Sequence, residues 1–255
     1  MRRTLLLVVV VSACGGGSGG TGKIPVVVTD GGTSYYGDSH SGNMWLGPVD
    51  YEETQWHNAC GPEDGHYPAL IQQLYGNYIM GLANEVELGN LVAGQGQLCD
   101  VCAELSANGK TLVAHVVTYG DEGGHADNID VSPEIESALA LGTNSAGTWR
   151  LITCPTQNPI YYTFDGRDWS NVWYFRVWIR NSRVPVAKVE YKLASSNWAT
   201  ADWQSDGAWQ AANADFSSGF SLRVTSITGG TIEDTLPGIG TFDPNQGIAS
   251  HGNLE

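Results

Sequence analysis

Charge is scarce in this chain. Asp, Glu, Lys and Arg supply 15% of its 255 residues, against roughly 25% in average soluble proteins. The excess lies instead in turn-formers and aromatics rather than helix-formers, which excludes coiled coils, helical repeats and intrinsic disorder. Basic residues are the scarcer sign, with 12 Lys and Arg against 27 Asp and Glu and a net charge of −15. A phosphate backbone needs a basic face, so nucleic acid is excluded as a partner. Long apolar runs are missing too. The stretch Leu5 to Val11 falls far short of the ~20 residues that span a bilayer, and no internal repeat is visible. What abounds is turn-formers and aromatics: 33 Gly, 9 Trp and 11 Tyr. That composition points to a β-rich fold with many turns, and 42% hydrophobic residues supply a core.

Met1-Arg2-Arg3 followed by Leu5 to Val11 has the form of an export signal. The run closes on Val11-Ser12-Ala13-Cys14, which resembles a bacterial lipobox whose Cys14 becomes the lipidated first residue. A lipid on Cys14 would be the one link to a membrane. Gly15 to Gly20 then reads as a flexible tether. The alternative is ordinary signal cleavage near Ala13. On either reading the mature protein works outside the cytoplasm, secreted or on the cell surface.

Without Cys14, four cysteines remain: Cys60, Cys99, Cys102 and Cys154. An even number in an oxidising compartment reads as two disulfides. A zinc site from Cys99, Cys102 and His115 or His125 is the competing reading, weakened by the absence of a second CxxC pair. Charge divides the chain at the same place. Ile24 to Cys154 carries 2 basic and 17 acidic residues, and Pro155 to Pro237 carries 7 basic and 8 acidic. The expected organisation is therefore 1–23 as signal, lipobox and tether, 24–154 and 155–238 as two β domains, and 239–255 as a tail. The proline-bounded stretch Cys154 to Pro159 predicts a stiff linker.

Lys110 to Val117 and Gly147 to Ile152 read as strands. Ser132 as N-cap, Pro133, early acids and Gly142 as a stop predict a helix over 133–142. A shorter helix is expected over 68–75. The later half alternates as strands over 172–180, 184–193, 203–209, 221–226 and 231–234, the pattern of an antiparallel sandwich.

The order of these features resembles the bacterial expansins from about Thr33 to Pro237. The residues that carry the likeness are Thr33-Ser34-Tyr35-Tyr36-Gly37, Asn58-Ala59-Cys60-Gly61, Cys99-Asp100-Val101-Cys102 and Asn128-Ile129-Asp130-Val131-Ser132-Pro133. Later come Val177-Trp178-Ile179-Arg180-Asn181, Pro185-Val186, Val189-Glu190-Tyr191 and Asp234-Thr235-Leu236-Pro237. The resemblance implies a mainly β protein: a six-stranded double-psi β-barrel followed by an immunoglobulin-like β-sandwich that serves as a carbohydrate-binding module. It also implies the pairs Cys60–Cys99 and Cys102–Cys154, no cofactor, no metal, a monomer, and cellulose or a related wall polysaccharide as partner.

In that family the barrel groove holds a hydroxyl residue and two aspartates. Ser34 takes the hydroxyl position, Tyr36 is a further groove candidate on the same strand, and Asp130 matches the aspartate before the helix. The other aspartate is missing after Val116-Val117-Thr118, so Tyr119 and Asp121 are the candidates there. The barrel is shared with an inverting endoglucanase family, whose acid matches Asp130 and whose base position is Asp38 here. Hydrolysis or lytic transglycosylation of β-glucan or peptidoglycan is therefore the alternative to non-hydrolytic wall loosening. Asp38 also suits a turn beside Gly37. The family's aromatic platform, which stacks on the flat faces of cellulose, falls on Trp173, Tyr174 and Trp209. Strict alternation sets Trp173 and Tyr174 on opposite faces, and an irregular strand start near Asn171 would bring both outward. Trp209, among small residues, is expected to be exposed.

Overall fold

The computed structural model describes residues 26–28, 34–47, 49–51, 60–61, 69–83, 98–120, 127–143, 145–167, 169–194, 196–204, 206–244 and 246–255. Cys14, Asp121 and His125 lie outside them, as does the predicted export segment. The first half is a closed barrel. Its strands are β2 (Ser34–Leu46), β3 (Ile79–Ala83), β4 (Cys102–Ala107), β5 (Lys110–Gly120), β6 (Ile129–Val131) and β7 (Ser145–Ile152). They run in the order β2-β6-β3-β5-β4-β7, and β7 pairs back onto β2 to close the ring. The pairs β2–β6 and β3–β5 are parallel, and the rest of the ring is antiparallel. A short β1 (Val26–Val28) lies antiparallel against the start of β2. Alternate residues fill the interior: Met44, Met80, Leu82, Leu105, Val116, Ile129, Val131 and Trp149 are buried in one cluster.

Two short helices pack outside the barrel. α1 (Ala69–Tyr75) buries Ile71 and Tyr75, one helical turn apart, in a cluster with Val49, Tyr51, Ile79 and Val117. α2 (Pro133–Leu139) follows β6, with Pro133 in its first turn and Glu134 and Glu136 at its positive end. It ends at Ala140, whose φ is +53°, rather than at the predicted Gly142. Ser132 makes no side-chain cap; its hydroxyl donates instead to Asn77 O at 2.7 Å.

The second half is a sandwich of two antiparallel sheets. One holds β11 (Ala199–Thr200), β10 (Val186–Lys192), β14 (Phe220–Ser226) and β15 (Thr231–Leu236). The other holds β12 (Asp202–Trp203), β13 (Trp209–Ala212), β9 (Tyr174–Arg180), β8 (Tyr161–Phe164) and β16 (Ile248–Ala249). Phe175, Phe216 and Phe220 meet between them with ring centroids 4.8–5.2 Å apart. The run expected as one strand over 203–209 is split by a turn at Gly207, whose φ is +79°.

The cysteines form disulfides Cys60–Cys99 and Cys102–Cys154. Among the described residues that leaves no thiolate for zinc, although His115 lies beside Cys102 and Cys154. Arg180 of β9 is fully buried and donates to Asp100 Oδ2 at 2.7 Å, Asp100 Oδ1 at 3.0 Å and Cys60 O at 2.9 Å. Tyr75 Oη donates to Asp100 and accepts the Asn181 N–H at 2.9 Å. The seam between barrel and sandwich is thus a buried ionic and hydrogen-bonded cluster. The tail is part of the sandwich. β16 extends the β8 edge, and Asp234 accepts from Tyr162 Oη and Ser250 Oγ at 2.6 Å each. Asn253 donates to the carbonyls of Asn158 and Asn181, both at 2.8 Å, which ties the tail to the linker.

His115 stacks on Tyr75 with centroids 4.2 Å apart, and burial lowers its pKa from 6.5 to about 4. Neutral in the fold and able to charge when unfolded, it contributes stability that is complete above about pH 6.5 and lost as pH falls toward about 4. Unfolding free energies from denaturant titrations across that range should fall in the wild type by an amount of order 3 kcal/mol. The His115→Gln variant should show a flatter profile. Identical slopes would mean that another group titrates.

Candidate functional site

Two surfaces gather the residues expected to act. The first is the outer face of the barrel around Asp130. β6 lies between β2 and β3, so Asp130 stands opposite Trp45 on one side and Gly81 on the other. Ile129 and Val131 point into the core, which turns Asp130 to the outside. Its carboxyl fits where it does because two neighbours lack a side chain. A Cβ on Gly47 would lie 2.8 Å from Asp130 Oδ1, and one on Gly81 would lie 2.9 Å from Thr118 Cγ2 and 3.7 Å from Asp130 Cβ. Two residues on, Ser132 opens a depression of about 430 Å³ lined by Asp50, Tyr51, Gln72, Asn77 and Glu134. Trp45, which sequence reasoning passed over, is the aromatic side chain paired with Asp130. Its alternation with the buried Met44 was the available signal.

The other barrel candidates divide. Thr118 shares the Asp130 face through its pairing with Gly81. Tyr119, the next residue, is half-buried; burial raises its pKa, and so does Asp206 of the sandwich, which places it toward the seam. Tyr36 is a correction. It is 2% exposed in the barrel interior, and its hydroxyl pairs with Thr153 Oγ1 at 2.7 Å. Ser34 begins β2 against β1 and β7's end, away from β6.

Asp38 is exposed near the start of β2, whereas Asp130 faces Trp45 near the other end of that strand. Positions 38 and 45 are seven steps apart along β2, on the order of 20 Å of chain if it were straight. An inverting pair requires carboxyls about 6.5–9.5 Å apart. Asp38 and Asp130 thus stand near opposite ends of β2 in register.

The second surface lies on the sandwich. β9 starts at Tyr174, so Trp173 precedes the strand and escapes its alternation. Asn171 Oδ1 accepts the Trp173 N–H at 3.1 Å, an Asx turn that redirects the chain. Trp173 is 57% exposed. With the half-buried Tyr174 it lines a depression of about 490 Å³ with Asp165, Arg167 and Asn171. Beneath, Asp165 accepts from Arg167 at 2.6 Å and from Arg176 at 3.5 Å, which holds the floor rigid.

Trp209 is the second correction. It is only 5% exposed and belongs to the core cluster. Its register partner is the inward-facing Val177, and directly paired residues share a face. The pairing, invisible in the local run of small residues, overrides the expectation of exposure.

Trp209→Ala should therefore cost about 3–5 kcal/mol of unfolding free energy as a buried aromatic. Trp173→Ala should stay within about 0.5 kcal/mol. Equal losses in urea unfolding would contradict this division between core and surface.

No protein-family profile matches the chain. Among characterised proteins it is 26% identical over 215 residues to Expansin-YoaJ of Bacillus subtilis (strain 168), covering 82% of this chain and 78% of that one. Among solved structures it is similar to the apo expansin of Clavibacter michiganensis, at a TM-score of 0.66 and 13% identity, over 86% of this chain and 98% of the other. An aspartate-to-asparagine variant of the Clavibacter michiganensis expansin in complex with cellohexaose is similar at a TM-score of 0.63 and 14% identity, with the same coverage.

Proposed function

We propose that this chain, a double-psi barrel followed by a β-sandwich, is an expansin-like protein that binds cellulose through the sandwich and loosens polysaccharide contacts at the barrel without hydrolysis. The observation that carries this reading is Trp173, 57% exposed beside Tyr174 at an open depression. A large exposed aromatic loses water-exposed area when it stacks on the C–H face of a glucan ring, with roughly 1 kcal/mol beyond area burial for each ring. The platform is shorter than the family pattern implies, because Trp209 is in the core. Asp130 is the barrel residue that contacts the polymer, its side chain accommodated by Gly47 and Gly81. The distance along β2 between Asp38 and Asp130 supports the non-hydrolytic form of the reading.

Two disulfides suit a protein that works outside the cytoplasm. Export through the N-terminal signal, with Cys14 lipidated, is part of the same proposal, as is a division into binding and loosening domains near residue 155.

Replacing Trp173 and Tyr174 together by Ala should lower cellulose pull-down on the order of tenfold or more, with unfolding unchanged. Because stacking is nonpolar, wild-type binding should survive high salt. Asp130→Asn should keep that binding and lose extension of clamped, heat-killed plant wall under load. Undiminished extension in the Asp130→Asn variant, or undiminished pull-down in the double variant, would refute the assignment.

The acidic barrel yields a second expectation. With 2 basic and 17 acidic residues over 24–154, it should repel pectin carboxylates within about a Debye length, ~8 Å at physiological salt. Pectin binding should thus be weak at low salt, while neutral glucans bind. Tight low-salt binding to pectin would count against that preference.

A further inference from the structure

A second pocket lies across the barrel from Asp130. Ring order puts β6 and β3 on one side and β4 and β7 on the other. On this far side, pairing aligns Glu104 with Arg150 and Ser106 with Thr148 on the outer face. Tyr35 and Ser39 of β2 complete a depression of about 260 Å³. It exists because β2 bulges. Tyr36 pairs with Leu151 and His40 with Trp149, so three residues of β2 oppose the single Arg150. Gly37 has φ +74°, a backbone open to glycine, and bulges of this kind recur beside binding sites. Asp38 belongs to this bulge.

The two charged groups here are not paired with each other. Among the described residues no ion pair joins Glu104 to Arg150, though they are direct cross-strand partners. Arg150 donates Nε and Nη2 to Gly37 O at 3.2 and 3.1 Å, which pins the bulge. Its guanidinium carbon lies 4.5 Å over the Tyr35 ring. Tyr35 Oη reaches the two Glu104 oxygens at 3.2 and 3.3 Å, long for a charge-assisted bond. The guanidinium thus keeps donors in hand, the carboxylate keeps acceptor capacity, and the hydroxyls of Ser39 and Thr148 stand beside them. Tyr35 also packs on Ile152 and the Cys102–Cys154 disulfide, giving the pocket one apolar wall.

From this arrangement we infer that the β2–β4–β7 pocket binds one ring of a neutral hexopyranose, with Glu104 and Arg150 holding adjacent hydroxyls. A carboxylate and a guanidinium present acceptors and donors side by side, the complement of a vicinal diol, whose hydroxyls do both. Their charges cancel locally, and the acidic barrel around them disfavours a uronate. The volume lies just below the roughly 300–1,000 Å³ of sites for larger ligands, which limits the occupant to about one ring. The pocket gives the barrel a contact with glucan that does not involve the sandwich platform.

The test uses the full chain carrying Trp173→Ala and Tyr174→Ala, so that the platform is silent. Cellobiose is titrated and followed by two-dimensional NMR at the Arg150 Nε–H and the Gly37 and Ser39 amides. Saturable shifts at these groups, with affinity roughly millimolar, are expected. Glu104→Gln should weaken that affinity about tenfold, and Thr148→Val a few-fold, with the remaining spectrum unchanged. Shifts confined to the strand of Asp130, no saturation, equal affinity for glucuronate, or unaltered affinity in Glu104→Gln would each overturn the inference. Cellulose pull-down by the protein with Trp173 and Tyr174 intact reads the platform separately, so failure there leaves this titration decisive for the pocket.

Discussion

The buried pair Arg180–Asp100 is the constraint on which the arrangement of the two halves rests. Arg180 ends a sandwich strand, and Asp100 sits between the two disulfides of the barrel. Burial raises the Asp100 carboxyl, while Arg180 and Tyr75 pull it back down. Removing either partner would strand the other in a dry interior, a loss typically of about 3–5 kcal/mol. The cluster also recruits backbone: the Cys60 carbonyl accepts from Arg180, and the Asn181 N–H donates to Tyr75. Asp100 itself holds φ +65°, a strained backbone fixed by its N–H bond to Val116 O and by the flanking disulfides. Such a seam favours one relative placement of barrel and sandwich, because sliding would unpair several buried groups at once.

Much of this fold is legible in the chain because its signals are local. The β5 strand announces itself by alternation of β-branched residues, α2 by Pro133 and its early acids, and the cysteine framework by an even count. What was not legible depends on register. Trp209 looks exposed among small residues, yet its pairing with Val177 turns it inward. Tyr36 looks like a groove residue, yet its alternation with Tyr35 on β2 sends it into the core. The tail offered no periodic pattern, and its role comes from edge pairing with β8 and from Asn253 reaching back to the linker. Trp173 and Tyr174 show the intermediate case. The conflict with alternation was visible, and so was Asn171, but only the Asx turn decides it.

The candidate sites share a physical origin in departures from regular strand geometry. Asp130 has room because Gly47 and Gly81 leave their Cβ positions empty. Trp173 is exposed because the chain turns before β9 begins. The β2 pocket opens because Gly37 permits a bulge that Arg150 holds. A closed barrel has no free edges and few crevices of its own, so recognition must come from such interruptions. Regular pairing then supplies the stiffness that keeps each one in place.

The charge asymmetry fits the same division of labour. On the reading proposed, the near-neutral sandwich approaches an uncharged polymer without electrostatic cost and adheres by stacking. The barrel, rich in carboxylates, would bind the same polymer weakly by itself. Joining the two through a rigid seam converts the barrel's encounter into an intramolecular one, at an effective concentration set by geometry instead of diffusion. A flexible linker would average the barrel over many placements and dilute that gain. The buried Arg180–Asp100 cluster and the tail's grip on Asn158 and Asn181 remove that averaging. Weak contacts at Asp130 then suffice, because the sandwich holds the barrel at the polymer for as long as Trp173 stays stacked.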